Sequence, residues 1–150
     1  MTRTLIAGFG NVLRKDDGFG VEVIRRLEEE GVGKDVTLLE VGTGGIRLAQ
    51  ELLTPYDRLI IVDAMSRGRP PGSVSLLAVE GVERVREVDM HAAEPSRALA
   101  LARALSALPA EILMVSCEPE EMDELSTELS GAVQRGVDHA LLEIRRLTRE

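Results

Sequence analysis

The sequence predicts an α/β fold, a sandwich built on one mixed sheet of five strands. Three observations carry that expectation: five apolar runs of strand length, amphipathic stretches between most of them, and one connection too short for a parallel crossover. In order, residues 4–7 (TLIA), 36–39 (VTLL), 59–62 (LIIV), 74–79 (VSLLAV) and 112–115 (ILMV) are the strands. Most are apolar at successive positions, as strands covered on both faces are. Val21, Ile24 and Leu27 mark the face of a first helix; Ile46, Leu48 and Leu52 mark a second, and Leu101, Leu105 and Leu108 a third. Leu129, Val133, Val137, Leu141, Ile144 and Leu147 hold a three-and-four spacing over a fourth. The resulting order is β-α-β-α-β-β-α-β-α.

The connection between the third and fourth strands is AMSRGRPPG, rich in turn residues. A parallel crossover needs about a dozen residues and usually a helix, so the fourth strand is expected to run antiparallel to the others. It then carries the chain to the far edge of the sheet. The stretch 80–90 must climb back, placing His91 at the start of the third helix, on the carboxyl edge of the parallel strands. Open α/β sheets bind ligands at that edge.

Composition narrows the function. A chain of 150 residues, 44% hydrophobic and 29% charged, is expected to form one domain over 1–150 with a core of its own. Its net charge of −8 and its three aromatics, Phe9, Phe19 and Tyr56, argue against a nucleic-acid platform, which needs a basic groove and stacking faces. Cys117 is the lone cysteine, so no internal disulfide and no CxxC pair exists, and a cytoplasmic location is expected. The N-terminal stretch lacks the apolar core of a signal peptide, and no apolar run exceeds strand length; neither export nor a membrane partner is expected.

Three residues stand out for chemistry. The first strand runs into GFGNVLRKDDGFG, where Gly8, Gly10, Gly18 and Gly20 permit a tight turn and close backbone approach. Of Asp16 and Asp17, one is expected to cap the following helix and the other to face the cleft. Asn11 serves the turn. Asp63 ends the apolar LIIVDA at the same edge, and His91 is the only histidine outside the last helix. His139, on the flank of that helix, receives no role. Two carboxylates and one imidazole are an incomplete ligand set for a borderline transition metal, open to water or substrate.

Other features read as structural. GFGNVL holds the first two glycines of a dinucleotide fingerprint, with Glu40 where a ribose-binding acid would fall, but Leu13 takes the third glycine position. The segment 40–45 (EVGTGG) reads as a turn into the second helix or as backbone for an extended peptide. Cys117 has no base partner in sequence and reads as a packed thiol, and Met65, Met90 and Met114 as core filling. Residues 118–128 hold six acids and no base, read as a solvated loop and helix entry.

Four stretches together, GFGNVLRKDDGFGVEV, LIIVDAMSRGRPPGSV, DMHAAEPSRALALA and VSCEPEEMDELSTELSGAVQRGVDHAL, resemble the hydrogenase maturation endopeptidases. The resemblance spans nearly the whole chain in the same order. It implies a three-layer α/β/α sandwich with a five-stranded mixed sheet and an antiparallel fourth strand. It implies an endopeptidase that trims the C-terminal extension from the large-subunit precursor of nickel-iron hydrogenase. It carries Asp17, Asp63 and His91 onto the family's metal-contacting positions, as the metal and catalytic residues. Nickel is then supplied by the bound precursor rather than held by the enzyme, which makes cleavage a checkpoint on nickel insertion. Glu40 falls where many members have an aspartate followed by two glycines, with Val41 in place of one glycine. The alternatives are a non-catalytic module that docks nickel and precursor, and a dinucleotide-binding domain.

Overall fold

The computed structural model describes residues 2–79, 99–100, 102–103 and 107–149. Its elements follow in the order β1 (Thr4–Phe9), a 3₁₀ turn (Lys15–Gly18), α1 (Phe19–Glu30), β2 (Val36–Gly42), α2 (Ile46–Glu51), β3 (Arg58–Ala64), β4 (Val74–Val79), β5 (Glu111–Cys117) and α3 (Gly131–Thr148). The strands form one sheet ordered β2-β1-β3-β5-β4. β1 pairs in parallel with β2 and β3, and β3 with β5. β4 pairs only with β5, antiparallel, at the sheet's edge. The short AMSRGRPPG connection therefore does what its length requires.

The two central strands, β1 and β3, are buried at every residue. Their alternation sorts the core into two clusters. Leu5, Ala7 and Phe9 of β1 and Leu59 and Ile61 of β3 face Leu48 and Leu52 of the α2 region, together with Leu99 and Ala102. Ile6, Ile60, Val62 and Val115 face the other way, against Phe19, Val23, Ile24 and Leu27 of α1 and Val133, Val137 and Ile144 of α3. Helices thus cover both faces, giving three layers. Each fully buried aliphatic contributes on the order of 2 kcal/mol, so this double coverage supplies most of the driving force.

Two glycines set how closely α1 lies on the sheet. A Cβ on Gly8 would collide with the carbonyl oxygen of Gly20, and a Cβ on Gly20 with the carbonyl oxygens of Val62 and Phe9. The first turn of α1 therefore presses directly on the ends of β1 and β3. α1 stops at Gly31, which has φ +87 and donates its N–H to the Leu27 carbonyl at 2.9 Å. α3 starts after Ser130, whose hydroxyl accepts from the Val133 N–H at 3.4 Å, and ends with Arg145 and Arg146 in its last turn, favourable to the helix dipole.

Four details differ from the sequence reading. β1 and β3 extend further than their apolar cores, so Asp63 lies within β3 and not after it. Cys117 likewise closes β5. Leu129 precedes α3, which begins at Gly131. Ile46 was expected on the buried face of α2 but is 65% exposed, because α2 is a short helix and Ile46 is its first residue. The third helix face, Leu101, Leu105 and Leu108, falls mainly outside the described residues; Leu108 packs against the first cluster.

Candidate active site

The site is assembled from loops at the carboxyl ends of the parallel strands. After β1 the chain turns sharply at Gly10, with φ +129, where a Cβ would overlap the carbonyl oxygen of Asp17. Only glycine allows that closure. It brings the backbone of the next residue onto the aspartate: the Asn11 N–H donates to Oδ2 of Asp17 at 2.9 Å. Oδ1 of Asn11 accepts from the Leu13 N–H at 2.9 Å, the turn-stabilising role expected of it. Asp17 remains partly exposed. A carboxylate can accept about four hydrogen bonds, so one backbone donor orients Asp17 and leaves it room to bind something else.

Asp16 behaves differently from its neighbour. It is fully buried, and Oδ2 accepts from the backbone N–H groups of Glu120 at 2.8 Å and Glu121 at 3.0 Å and from the Ser130 hydroxyl at 2.9 Å. Its Oδ1 accepts from the Ser130 N–H at 2.7 Å. This corrects the expectation that one aspartate caps α1. The N-cap of α1 is Gly18, which makes no side-chain cap bond, because Asp16 is turned away to satisfy donors ahead of α3 instead.

Asp63 lies near the carboxyl end of β3, 6% exposed, opposite Ser116 of β5. The 3₁₀ turn carrying Asp17 contacts β3, and the first turn of α1 sits on the Val62 carbonyl next to Asp63. The structure thus brings the Asp17 turn and the Asp63 strand end to one place. The loop that follows Asp63 is held by a residue the sequence reading left unassigned. Glu118, 8% exposed, accepts from the N–H groups of Arg67 at 2.8 Å and Arg69 at 3.2 Å. Its backbone exchanges hydrogen bonds with the same loop: the Gly72 N–H donates to the Glu118 carbonyl at 2.8 Å, and the Glu118 N–H to the Ser73 carbonyl at 2.9 Å. The signal that could have found Glu118 was the one used for Asp63, a carboxylate directly after an apolar strand.

His91, the third expected member, lies outside the described residues. Among the described residues, no three histidine, cysteine or acidic side chains come together as a metal site. Met90 also lies outside them, while Met65 and Met114 are buried in the core. His139 is exposed, 3.6 Å from Glu143.

The remaining residues find structural roles. Glu40 pairs with Arg25 of α1 at 3.0 Å, both partly exposed, and its carbonyl accepts from Arg47. Cys117 is fully buried, and burial, reinforced by the charges of Asp16 and Glu118, pushes its thiol up to about 12, far from a nucleophile's range. The acid-rich segment is not simply a solvated loop. Glu118 and the Glu120 and Glu121 amides are tied as described, the Arg14 guanidinium reaches the Met122 carbonyl and Asp123, and Lys15 and Ser126 pair through the backbone. Local spacing could not show this, because these side-chain partners are 49 to 109 residues apart.

The architecture defines a class: an α/β/α domain with a mixed sheet and carboxylate-bearing loops at the carboxyl edge of its parallel strands. A family model described as hydrogenase maturation protease matches residues 21–146. The hydrogenase expression/formation protein HoxM of Azotobacter vinelandii is 34% identical over 141 residues, 91% of this chain and 68% of that protein. Among solved structures, the [NiFe] hydrogenase maturation protease HybD from Thermococcus kodakarensis is 34% identical with a TM-score of 0.83, covering 97% of this chain and 99% of that one. The hydrogenase maturating endopeptidase HybD from E. coli is 27% identical with a TM-score of 0.86, covering 98% of this chain and 92% of that one. The chain belongs to the hydrogenase maturation protease family, and it is a peptidase. Neither alternative, the dinucleotide-binding domain or the non-catalytic module, has that support. Among the described residues, no helix is long and apolar enough to cross a membrane.

Proposed function

We propose that this peptidase removes the C-terminal extension of a nickel-iron hydrogenase large-subunit precursor after nickel has been inserted, and that Asp17, Asp63 and His91 recognise the nickel carried by that precursor. The observation that carries the reading is the contact between the Asp17 turn and β3, which sets two carboxylate-bearing elements side by side at one sheet edge. Asp17 is oriented by the Asn11 N–H and partly open, as a residue must be that meets a ligand brought from outside. Two carboxylates and an imidazole suit nickel as a borderline metal and leave positions for the precursor's own ligands.

In this reading the substrate's nickel polarises or positions the scissile peptide. The chain's own groups do the rest. The Asn11 N–H holds Asp17, burial at the end of β3 holds Asp63, and one of the two carboxylates takes the proton of the attacking water, an aspartic-type hydrolysis. The reaction is placed in the cytoplasm, in keeping with a single free thiol. Incubation with nickel-loaded precursor, followed by mass spectrometry, is expected to show the released extension, and His91→Ala to abolish the release while leaving the thermal midpoint in place. A fully active His91→Ala protein, or equal cleavage of nickel-free precursor, would overturn the assignment. Binding without cleavage would move it to a docking module.

A further inference from the structure

The two ligand-bearing elements share one support. Asp16 ties the 3₁₀ turn to the segment between β5 and α3, through the Glu120, Glu121 and Ser130 donors. Glu118, at the start of that same segment, ties the loop that follows Asp63, through the Arg67 and Arg69 amides. Both carboxylates are buried, and the donors they accept from are backbone amides and the Ser130 hydroxyl. The segment is held further by the Leu13 carbonyl accepting from the Ser126 N–H and by Ser126 accepting from Lys15, each at 2.9 Å. The turn next to Asp17 and the loop after Asp63 therefore hang on one stretch of backbone.

We propose that Asp16 and Glu118 are positioning residues that set the separation of Asp17 and Asp63 through the segment 117–130. The proposal rests on the reading that those two aspartates meet nickel. Neither Asp16 nor Glu118 touches the metal. Their effect is geometric: loss of either bond set lets one ligand drift relative to the other. Asparagine cannot replace Asp16 here, because the carboxylate takes donors on both oxygens. Whichever way the amide turns, its NH₂ faces at least one N–H.

An open ligand set that retains no nickel of its own still binds the added ion weakly, so the test is titration of the full chain with excess Ni(II), followed by calorimetry, and with Co(II), followed by the visible absorption that reports ligand geometry. Asp17→Ala and Asp63→Ala are expected to lose binding. Asp16→Asn and Glu118→Ala are expected to weaken it by about tenfold, as loss of an outer-shell partner does, and to alter the Co(II) spectrum. Ile144→Ala, a buried core change near the far end of α3, fourteen residues beyond Ser130, controls for loss of stability and is expected to bind as wild type. If Asp16→Asn does not fold, Ser130→Ala, which removes one of the four bonds to Asp16, is expected to weaken binding several-fold. Wild-type affinity and spectrum in the Asp16 (or Ser130) and Glu118 variants, with binding lost in Asp17→Ala, would overturn the positioning role. So would an equal loss in Ile144→Ala. Unchanged binding in Asp17→Ala and Asp63→Ala would instead overturn the metal reading, and the proposal with it.

Discussion

Two glycine-containing loops lie at the same edge of the sheet, and they are built to opposite standards. The loop after β1 is closed by Gly10 against Asp17, pressed by Gly20 onto β1 and β3, and pinned by the buried Asp16. The loop after β2 leaves from Gly42 at φ +68, has no atom of a described residue other than its chain neighbours within 4 Å of where a Cβ on Gly44 would lie, and has an exposed Ile46 at its end. Glycine in the first loop is required by crowding; in the second, Gly42 serves the backbone turn and Gly44 meets open space among the described residues. A loop that must deliver a fixed carboxylate is over-determined, while a loop that only passes over the edge is not.

The sharpest way to break the contrast is to fill the crowded position. Gly20→Val meets two backbone oxygens that cannot move without displacing β1 or β3. A loss of about 3 kcal/mol or more in urea unfolding is expected, enough to leave little folded protein at 37 °C. A second effect concerns Cys117, whose proton is held partly by the same Asp16. Its folded-state value of about 12 lies above the ordinary 9.0, so the folded state keeps a proton that the unfolded chain releases. That contribution is complete below pH 9 and is lost as pH rises through about 12. Stability is expected to fall by about 2 kcal/mol between pH 8 and 10.5, and less in Cys117→Ala, when denaturant midpoints are compared. Glu40→Gln, which breaks an exposed pair with Arg25, is expected to cost less than about 1 kcal/mol by the same measurement. The smallest effect belongs to Gly44→Ala, within about 0.5 kcal/mol of wild type. A large loss there would show that the second loop is as constrained as the first.

The parts of this molecule that were legible in the sequence are those written in local pattern. The unbroken apolar runs of β1 and β3, the spacing along α1 and α3, and the short connection ahead of β4 are all local, and all appear as expected. Asp17 and Asp63 were singled out from the apolar strands ahead of them, and the structure brings the elements that carry them to one edge. The division of labour between Asp16 and Asp17 was not legible, since the donors that bury Asp16 come from residues 120, 121 and 130. Glu118 carried a local signal, directly after an apolar strand, but it also opens the acid-rich run. Its charge suggested a solvated surface, whereas its bonds run to the amides of Arg67 and Arg69.

The contact between Asp16 and Ser130 links residues 114 positions apart, and the turn at Gly72 seats directly on Ala132 in the first turn of α3. A ribosome therefore makes the turn that carries Asp17 early and the residues that hold it late. Until Ser130 and the helix behind it have emerged, the nascent chain carries its aspartates without the frame that spaces them. The hydrogen bonds that bury Asp16 therefore form only near the end of synthesis, however early the strands around it are made.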